Sequence, residues 1–270
     1  MKTSTWMGSV AAALAALSIP ALAQEDPAAE LAKKLANPIA SLISVPLQYN
    51  YDENYGPQDE GSVSRLNVQP VIPISLNDDW NLITRAIVPI VDQNDLPTKG
   101  QGETGLGDVT ASLFFSPKAP TSRGWIWGAG PVALLPTASE DALGGEQWGL
   151  GPTAVALKQM GPWTIGGLVN HVWSVEGEDD RADVSATFLQ PFASYIVKKT
   201  KTTFGLNAES TYDWEAEAWS VPVNLTVAQL LKIGPQIFQV SVGARYWAES
   251  PEGGPEDFGF RAQLTFLFPK

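Results

Sequence analysis

The sequence has no cysteine, one histidine and few basic residues for its length. The absence of cysteine excludes a disulfide framework, thiolate catalysis and cysteine metal sites. Basic residues number 17 against 29 acidic ones, which gives a formal net charge of −12 at pH 7. A chain this acidic is a poor ligand for nucleic acid, and we expect no nucleic-acid partner.

Long apolar runs are missing as well. An apolar run from Val10 to Ile19 follows the charged residue Lys2, and Ala21-Leu22-Ala23 fits a small-x-small cleavage site. The run is shorter than the roughly 20 residues that a membrane-spanning helix needs. We therefore predict a secretory signal peptide over residues 1–23 and no helical membrane anchor.

Glycine, proline and tryptophan are plentiful, with 24, 21 and 10 residues. This composition suits a β-rich chain with many turns and with aromatic side chains at a membrane interface. A helical pattern occurs only near the start, where Asp26-Pro27 fits an N-cap and first residue and Asn37-Pro38 a stop. We predict a periplasmic helical segment over residues 24–38 and an outer-membrane β-barrel over residues 39–270.

Period-two alternation divides the barrel region into runs of about ten residues, the pattern of membrane-spanning strands. Phe258, Phe260 and Leu264 fall on one face of the last run, and Arg261 and Gln263 on the other. The even strand count suits an antiparallel up-and-down transmembrane barrel. Twelve strands are predicted, near residues 43–51, 65–76, 80–91, 108–116, 125–135, 148–158, 163–174, 185–197, 202–212, 219–230, 236–248 and 258–268.

The connections between these strands alternate in length. Segments 52–64, 92–107, 136–147 and 175–184 are long and hold many acidic residues, whereas the short turns hold lysines. Long extracellular loops and short periplasmic turns are typical of outer-membrane barrels. Tryptophans at predicted strand ends are expected at the membrane interface; they are Trp80, Trp125, Trp148, Trp163, Trp219 and Trp247.

Prolines inside the predicted strands oppose this interpretation, because each removes a ladder donor. We expect bulges or local breaks at these positions, facing the lumen or another protected site. The prolines are Pro46, Pro70, Pro73, Pro89, Pro131, Pro152, Pro191 and Pro222.

Several motifs resemble a bacterial family of outer-membrane transporters associated with phenol degradation, some of whose members are labelled neuromedin U. The motifs are residues 31–35 and 37–46, Gly105-Leu106-Gly107-Asp108, Phe114-Phe115-Ser116-Pro117, Gly130-Pro131, Leu135-Pro136-Thr137 and Arg245-Tyr246-Trp247-Ala248-Glu249-Ser250-Pro251. The resemblance covers nearly the whole mature chain. It implies a barrel that passes small hydrophobic or aromatic compounds, and it supplies no catalytic motif.

Charged side chains on the inward face are the candidate lumen lining, namely Arg65, Arg85, Glu209, Arg245 and Arg261. Closure brings the strands that hold the four arginines together, on either side of the first strand. A basic arc in the lumen would favour anions such as small carboxylates. Alternatively, the arginines pair internally with Glu209 or with acidic loop residues, because an unpaired buried charge is costly.

Other chemistry has less support in the sequence. Glu178, Asp179 and Asp180 are weak candidates for a Ca²⁺ or Mg²⁺ site, without EF-hand spacing, and a solvated acidic loop is the simpler interpretation. A hydrolase needs a base beside a nucleophile, but His171 and Ser174 fall on opposite strand faces. We predict that the chain is not an enzyme and has no cofactor and no metal.

The leading hypothesis is a channel or transporter in a Gram-negative outer membrane, for passive passage of hydrophobic, aromatic or anionic solutes. Its expected surroundings are outer-membrane lipid and lipopolysaccharide, and its expected partner is a small-molecule solute. Two alternatives remain open: a non-conducting structural or adhesion barrel with cation-binding acidic loops, and a soluble periplasmic β-protein.

Overall fold

The computed structural model describes residues 27–268, so the predicted signal peptide lies outside the described residues. These residues form a closed antiparallel barrel of twelve strands with one short α-helix, α1 (Pro27–Leu35), which confirms the predicted fold. Within this range, no helix is both long and apolar enough to cross a membrane. The strands are β1 Ile43–Tyr55, β2 Gly61–Val68 and Val71–Ser75, β3 Trp80–Asn94, β4 Thr104–Leu106 and Val109–Pro117, β5 Trp125–Leu135, β6 Gln147–Met160, β7 Trp163–Gly177, β8 Ser185–Val197, β9 Thr202–Ala208 and Ser210–Asp213, β10 Ala218–Ser220 and Pro222–Ile233, β11 Gln236–Trp247, and β12 Phe258–Phe268.

The barrel closes by pairing of its first and last strands. Ile43 of β1 lies opposite Phe268 of β12, and the register continues to Tyr51 opposite Phe260. Closure leaves no strand edge with unpaired N–H and C=O groups. A sheet can span lipid only when this condition is met.

The two ends of the barrel differ in the length of their connections. At the turn end, the strands are joined by residues 76–79, 118–124, 161–162, 198–201 and 234–235. At the loop end, the longest connections are residues 95–103, 136–146 and 248–257.

The first predicted loop is wrong, because β1 and β2 extend beyond the predicted ends and leave only residues 56–60 between them. Asp52 and Glu53 resemble loop residues, but they continue the ladder opposite Val63 and Ser62. Cross-strand pairing has overridden the low strand propensity of these acidic residues.

The outward face of the barrel is apolar. Leu225 of β10 and Val242 of β11 are 58% and 50% exposed, although both lie in the middle of their strands. Aromatic rings form contacts near both ends of this surface, for example Trp80 with Trp127 at the turn end and Tyr212 with Trp219 at the loop end. An apolar band between two aromatic belts is the surface that a membrane-spanning barrel presents to lipid.

Two of the strand prolines, Pro131 and Pro152, lie opposite each other on β5 and β6. The ladder to the next strand on each side omits these residues and then resumes in the same register, so local breaks occur as predicted. Gly151 allows the His171 carbonyl to approach so closely that a Cβ would collide with it. Both prolines are on the outward face, and the expectation of a lumen-facing position is wrong for them.

The N-terminal segment, residues 27–42, lies inside the turn end of the barrel. Ile39 packs against inward-facing residues such as Ile83 and Phe114, while Leu42 contacts Leu267 on another part of the wall. Two hydrogen bonds attach the segment to the strands: Gln159 Nε2 donates to the Lys33 carbonyl, and Asn81 Nδ2 donates to Ser41 Oγ, both at 2.8 Å. The segment therefore crosses the lumen and narrows it.

Candidate functional site

The lumen is the candidate site, and its charged lining is concentrated on a few adjacent strands. Arg245 and Arg261 project inward from β11 and β12, and Arg65 and Arg85 from β2 and β3. The strands follow the order β11, β12, β1, β2, β3 around the barrel, so the four arginines come from near neighbours. Glu209 lies at the single-residue interruption of β9.

Glu209 binds two of these arginines at once. Arg261 Nη1 and Nη2 donate to Glu209 Oε1 and Oε2 at 2.9 and 2.7 Å, and Arg245 Nη1 donates to Oε2 at 3.1 Å. The Arg261 side chain is 4% exposed and that of Arg245 6%. Bidentate pairs of this kind are strong and directional. The internal pairing considered from the sequence thus applies to Arg245 and Arg261.

Asp52 is a second acidic partner in the lumen; the sequence interpretation counted it among the acidic loop residues, which it considered as partners of the arginines only as a group. Its Oδ1 accepts hydrogen bonds from Arg245 Nε at 2.9 Å and from Trp247 Nε1 at 2.8 Å. The Arg245 guanidinium also lies over the Trp247 ring, 4.7 Å from its centroid. Trp247 therefore lies in the lumen and not at the membrane interface, because its indole N–H reaches a carboxylate there. We call Asp52, Glu209, Arg245 and Arg261 the ion-pair network.

Asparagine amides on the neighbouring strands extend the ion-pair network. Arg261 Nε donates to Asn50 Oδ1 at 2.7 Å, and Arg245 Nη1 donates to Asn224 Oδ1 at 3.3 Å. Each asparagine is directly opposite its arginine across a strand pair. Asn224 in turn donates to Asn207 Oδ1 at 2.9 Å. Buried charges of this network therefore keep hydrogen-bond partners on several strands, which reduces the cost of their burial.

Arg85 and Arg65 have no carboxylate partner among the described residues. Arg85 Nη2 donates to Gln69 Oε1 at 2.9 Å, and Gln69 Nε2 donates to Gln48 Oε1 at 2.8 Å. Arg65 is in register with Asn50, but its side chain forms no hydrogen bond or ion pair within residues 27–268. Among the described residues, these two arginines are therefore positive charges of the lumen wall without an ion pair.

The part of the lumen wall formed by β3 to β7 is apolar near the turn end. Inward-facing side chains of β3 to β7 surround Ile39 there and form the apolar cluster, which consists of Ile39, Ile83, Phe114, Val155, Leu157 and Leu168. Phe188 and Phe192 of β8 pack against this cluster. Barrel interiors are normally polar. The lumen is therefore amphiphilic across its width.

A cavity of about 620 Å³ lies between the charged and apolar walls. Arg85, Glu209 and Arg261 line it on one side, Phe188 and Phe192 line it on another, and part of the N-terminal segment closes its floor. This volume is within the roughly 300–1,000 Å³ of sites that bind small molecules.

The loop of residues 136–146 reaches over the rim of the barrel. Asp108, at the interruption of β4, accepts hydrogen bonds from the backbone N–H groups of Thr137, Ala138 and Gly145 at 3.1, 3.1 and 2.7 Å. The Leu143 carbonyl lies close to Gly107 at the same interruption. Asp108 thereby anchors the loop to the barrel.

The acidic loop that contains Glu178, Asp179 and Asp180 has a basic residue of its own. Arg181 Nε lies 3.1 Å from Glu146 Oε2, and its Nη2 donates to the Asp141 carbonyl at 2.8 Å. In the part of the chain that the structure describes, no three metal-ligating side chains are close enough together to hold an ion.

His171 and Ser174 have separate partners. His171 Nδ1 is 2.7 Å from Thr187 Oγ1, and its ring lies 4.0 Å from that of Trp173 between centroids. Ser174 Oγ donates to Asp183 Oδ1 at 3.0 Å. The hydrolase pair considered from the sequence is therefore not assembled in this structure.

Solved structures of other proteins resemble this fold, although the sequence comparisons find no relative. No protein-family model and no curated relative matches the sequence. The barrel is similar to an outer membrane channel from Pseudomonas putida F1, with a TM-score of 0.65 and 15% identity over 84% of this chain and 96% of that chain. It is also similar to the NanC porin, with a TM-score of 0.51 and 10% identity over 84% of this chain and 100% of that chain. These similarities establish a barrel of the outer-membrane type.

Proposed function

We propose that the protein is a channel in a bacterial outer membrane for the passive passage of small solutes, with a preference for anions. The observation that supports this best is a closed barrel with an apolar exterior and a charged lumen that contains a cavity of about 620 Å³. The predicted signal peptide supplies the route to that membrane. The two similar structures are themselves named as an outer membrane channel and a porin.

The charge of the lumen supports an anion preference. Lys34, Arg85 and Arg261 line the cavity, against the single carboxylate of Glu209. Arg261 forms an ion pair with Glu209, whereas Arg85 forms none among the described residues and its guanidinium binds only the Gln69 amide. Charged side chains at a constriction set the selectivity of a pore. Arg85 is therefore the main candidate for this role, with Arg65 as a second.

The orientation and the solute are further parts of the proposal. We place the long loops outside the cell and the N-terminal segment, within residues 24–42, at the periplasmic end. The passage of hydrophobic or aromatic compounds, which the resemblance to the phenol-degradation family implies, remains a prediction. The apolar wall around Phe188 and Phe192 is compatible with such solutes.

A non-conducting structural barrel is the second candidate, because the N-terminal segment narrows the lumen and the loop of residues 136–146 is anchored at its rim by Asp108. Conductance of the refolded mature protein in a planar bilayer separates the two functions. We expect discrete conductance steps from protein that shows the heat-modifiable gel mobility of a folded barrel, and none from unfolded protein in the same detergent. A folded preparation without conductance would identify the structural barrel instead.

A further inference from the structure

Arg85 is a positive charge in the lumen whose hydrogen-bonding capacity is largely unused. A guanidinium has five N–H donors, and the structure gives Arg85 one hydrogen bond, to Gln69. Within residues 27–268 it has no ion pair, although two other arginines of the same lumen share Glu209. Glu209 acts on this charge through space, but a charge withdrawn from bulk water without a bound counter-ion is still costly. A ligand anion bound to the free donors would reduce that cost.

The guanidinium of Arg85 is also held in place. Gln69 is 7% exposed, accepts from Arg85 Nη2, and donates to Gln48 Oε1 at 2.8 Å. Gln48 thus orients the Gln69 amide, and Gln69 orients the Arg85 guanidinium. A binding group ordered in advance loses less entropy when its ligand arrives.

The apolar wall of the same cavity indicates what the anion is attached to. Leu168, Phe188 and Phe192 line the cavity from β7 and β8, and they belong to or pack against the apolar cluster. A fully hydrated inorganic anion gains nothing from such a wall. An apolar body gains about 25 cal/mol for each Å² that it removes from water.

We infer that the cavity is a binding site for a small monocarboxylate with an apolar body. The carboxylate binds the free donors of Arg85, and the body lies against Phe188 and Phe192. A planar carboxylate is the anion that matches a guanidinium fork. The inference rests on the proposed function in that solutes must reach the lumen, but binding can be measured without any current across a membrane.

Isothermal titration of refolded protein in detergent tests the site, with benzoate as the probe. We expect saturable binding of one benzoate per barrel. Acetate lacks the body and benzyl alcohol lacks the charge, so each should bind at least about tenfold more weakly, a difference of about 1.4 kcal/mol. Equal affinity for acetate and benzoate, or no benzoate binding to folded protein, would overturn the inference.

Two substitutions assign the binding groups. Arg85→Gln should weaken benzoate binding at least about tenfold, whereas Arg123→Gln removes the same charge from an exposed turn and should change nothing. Phe192→Ala should weaken benzoate binding but not acetate binding, and it decides the case if Arg85→Gln does not fold. Unchanged benzoate affinity in a folded Arg85→Gln or Phe192→Ala protein would contradict the assignment.

The two proposals fail in different ways. Conductance without benzoate binding would contradict the proposed binding site but support the proposed channel. Benzoate binding without conductance would contradict the proposed channel but support a barrel with a ligand-binding site.

Discussion

Glu209 neutralises two arginines in the lumen, and its effect on stability and on charge can be separated. Glu209→Gln leaves Arg245 with Asp52 as its one carboxylate beside the Asn224 amide, and it leaves Arg261 with amide partners only, because the charged acceptor at 2.7 to 3.1 Å is lost. Removal of one partner of a buried ion pair costs about 3–5 kcal/mol. We expect a loss of about 3 kcal/mol in the free energy of unfolding, measured by urea titration in lipid, together with greater anion selectivity.

The matched control for this change is Glu215→Gln, in the exposed connection between β9 and β10. It alters the net charge by the same amount, far from the ion-pair network. We expect the free energy of unfolding to fall by less than about 0.5 kcal/mol, because the residue is a surface position. Equal effects of the two substitutions would show that the ion-pair network is not a source of stability.

Side-chain partners were harder to predict than side-chain directions. Alternation alone gave the inward direction of Arg85, Arg245 and Arg261, because it depends only on the strand period. The partners depend on the register between strands, as in the pairing of Asn50 with Arg261. Asp52 could have been found, since it continues the inward series of Gln48 and Asn50, but its acidic neighbourhood resembled a loop.

At the scale of elements, the sequence predicted the strands better than their ends. All twelve strands were placed, yet β1 and β2 extend further at the loop end because their polar residues still pair with each other. The sequence also predicted the short helix that the structure shows as α1. Its position inside the barrel was left open, because packing of Ile39 and Leu42 against opposite parts of the wall is a tertiary property.

The N-terminal segment restricts the lumen, and Ile39 is the residue that should hold it there. Ile39 is 4% exposed within the apolar cluster. In Ile39→Asp, an unpaired carboxylate would have to be buried at a cost of several kcal/mol. We expect the segment to leave the cluster and the single-channel conductance to rise severalfold.

Ala119→Asp is the control for Ile39→Asp, since it introduces the same carboxylate in the exposed turn between β4 and β5. Its conductance should equal that of the unchanged protein. If Ile39→Asp folds and conducts no better than this control, the N-terminal segment does not limit the path.

For the whole molecule, the distribution of charge matters more than its sum. The chain has a net charge of −12, and much of its acidity lies in the loops, whereas three of the four charged side chains at the cavity are basic. Composition predicted an exported acidic β-protein and period-two alternation predicted a barrel. Neither could show that the lumen is charged on one wall and apolar on the other, since this depends on how the strands are ordered around the closed barrel.

The most direct test of this account is the reversal potential of the refolded protein in a planar bilayer that separates two KCl concentrations. We expect a potential with the sign of chloride preference, which is reduced towards zero in Arg85→Gln and unchanged in Arg123→Gln. A potential with the sign of potassium preference, or chloride preference that Arg85→Gln leaves intact, would contradict the assignment of Arg85 as the selective charge of the lumen.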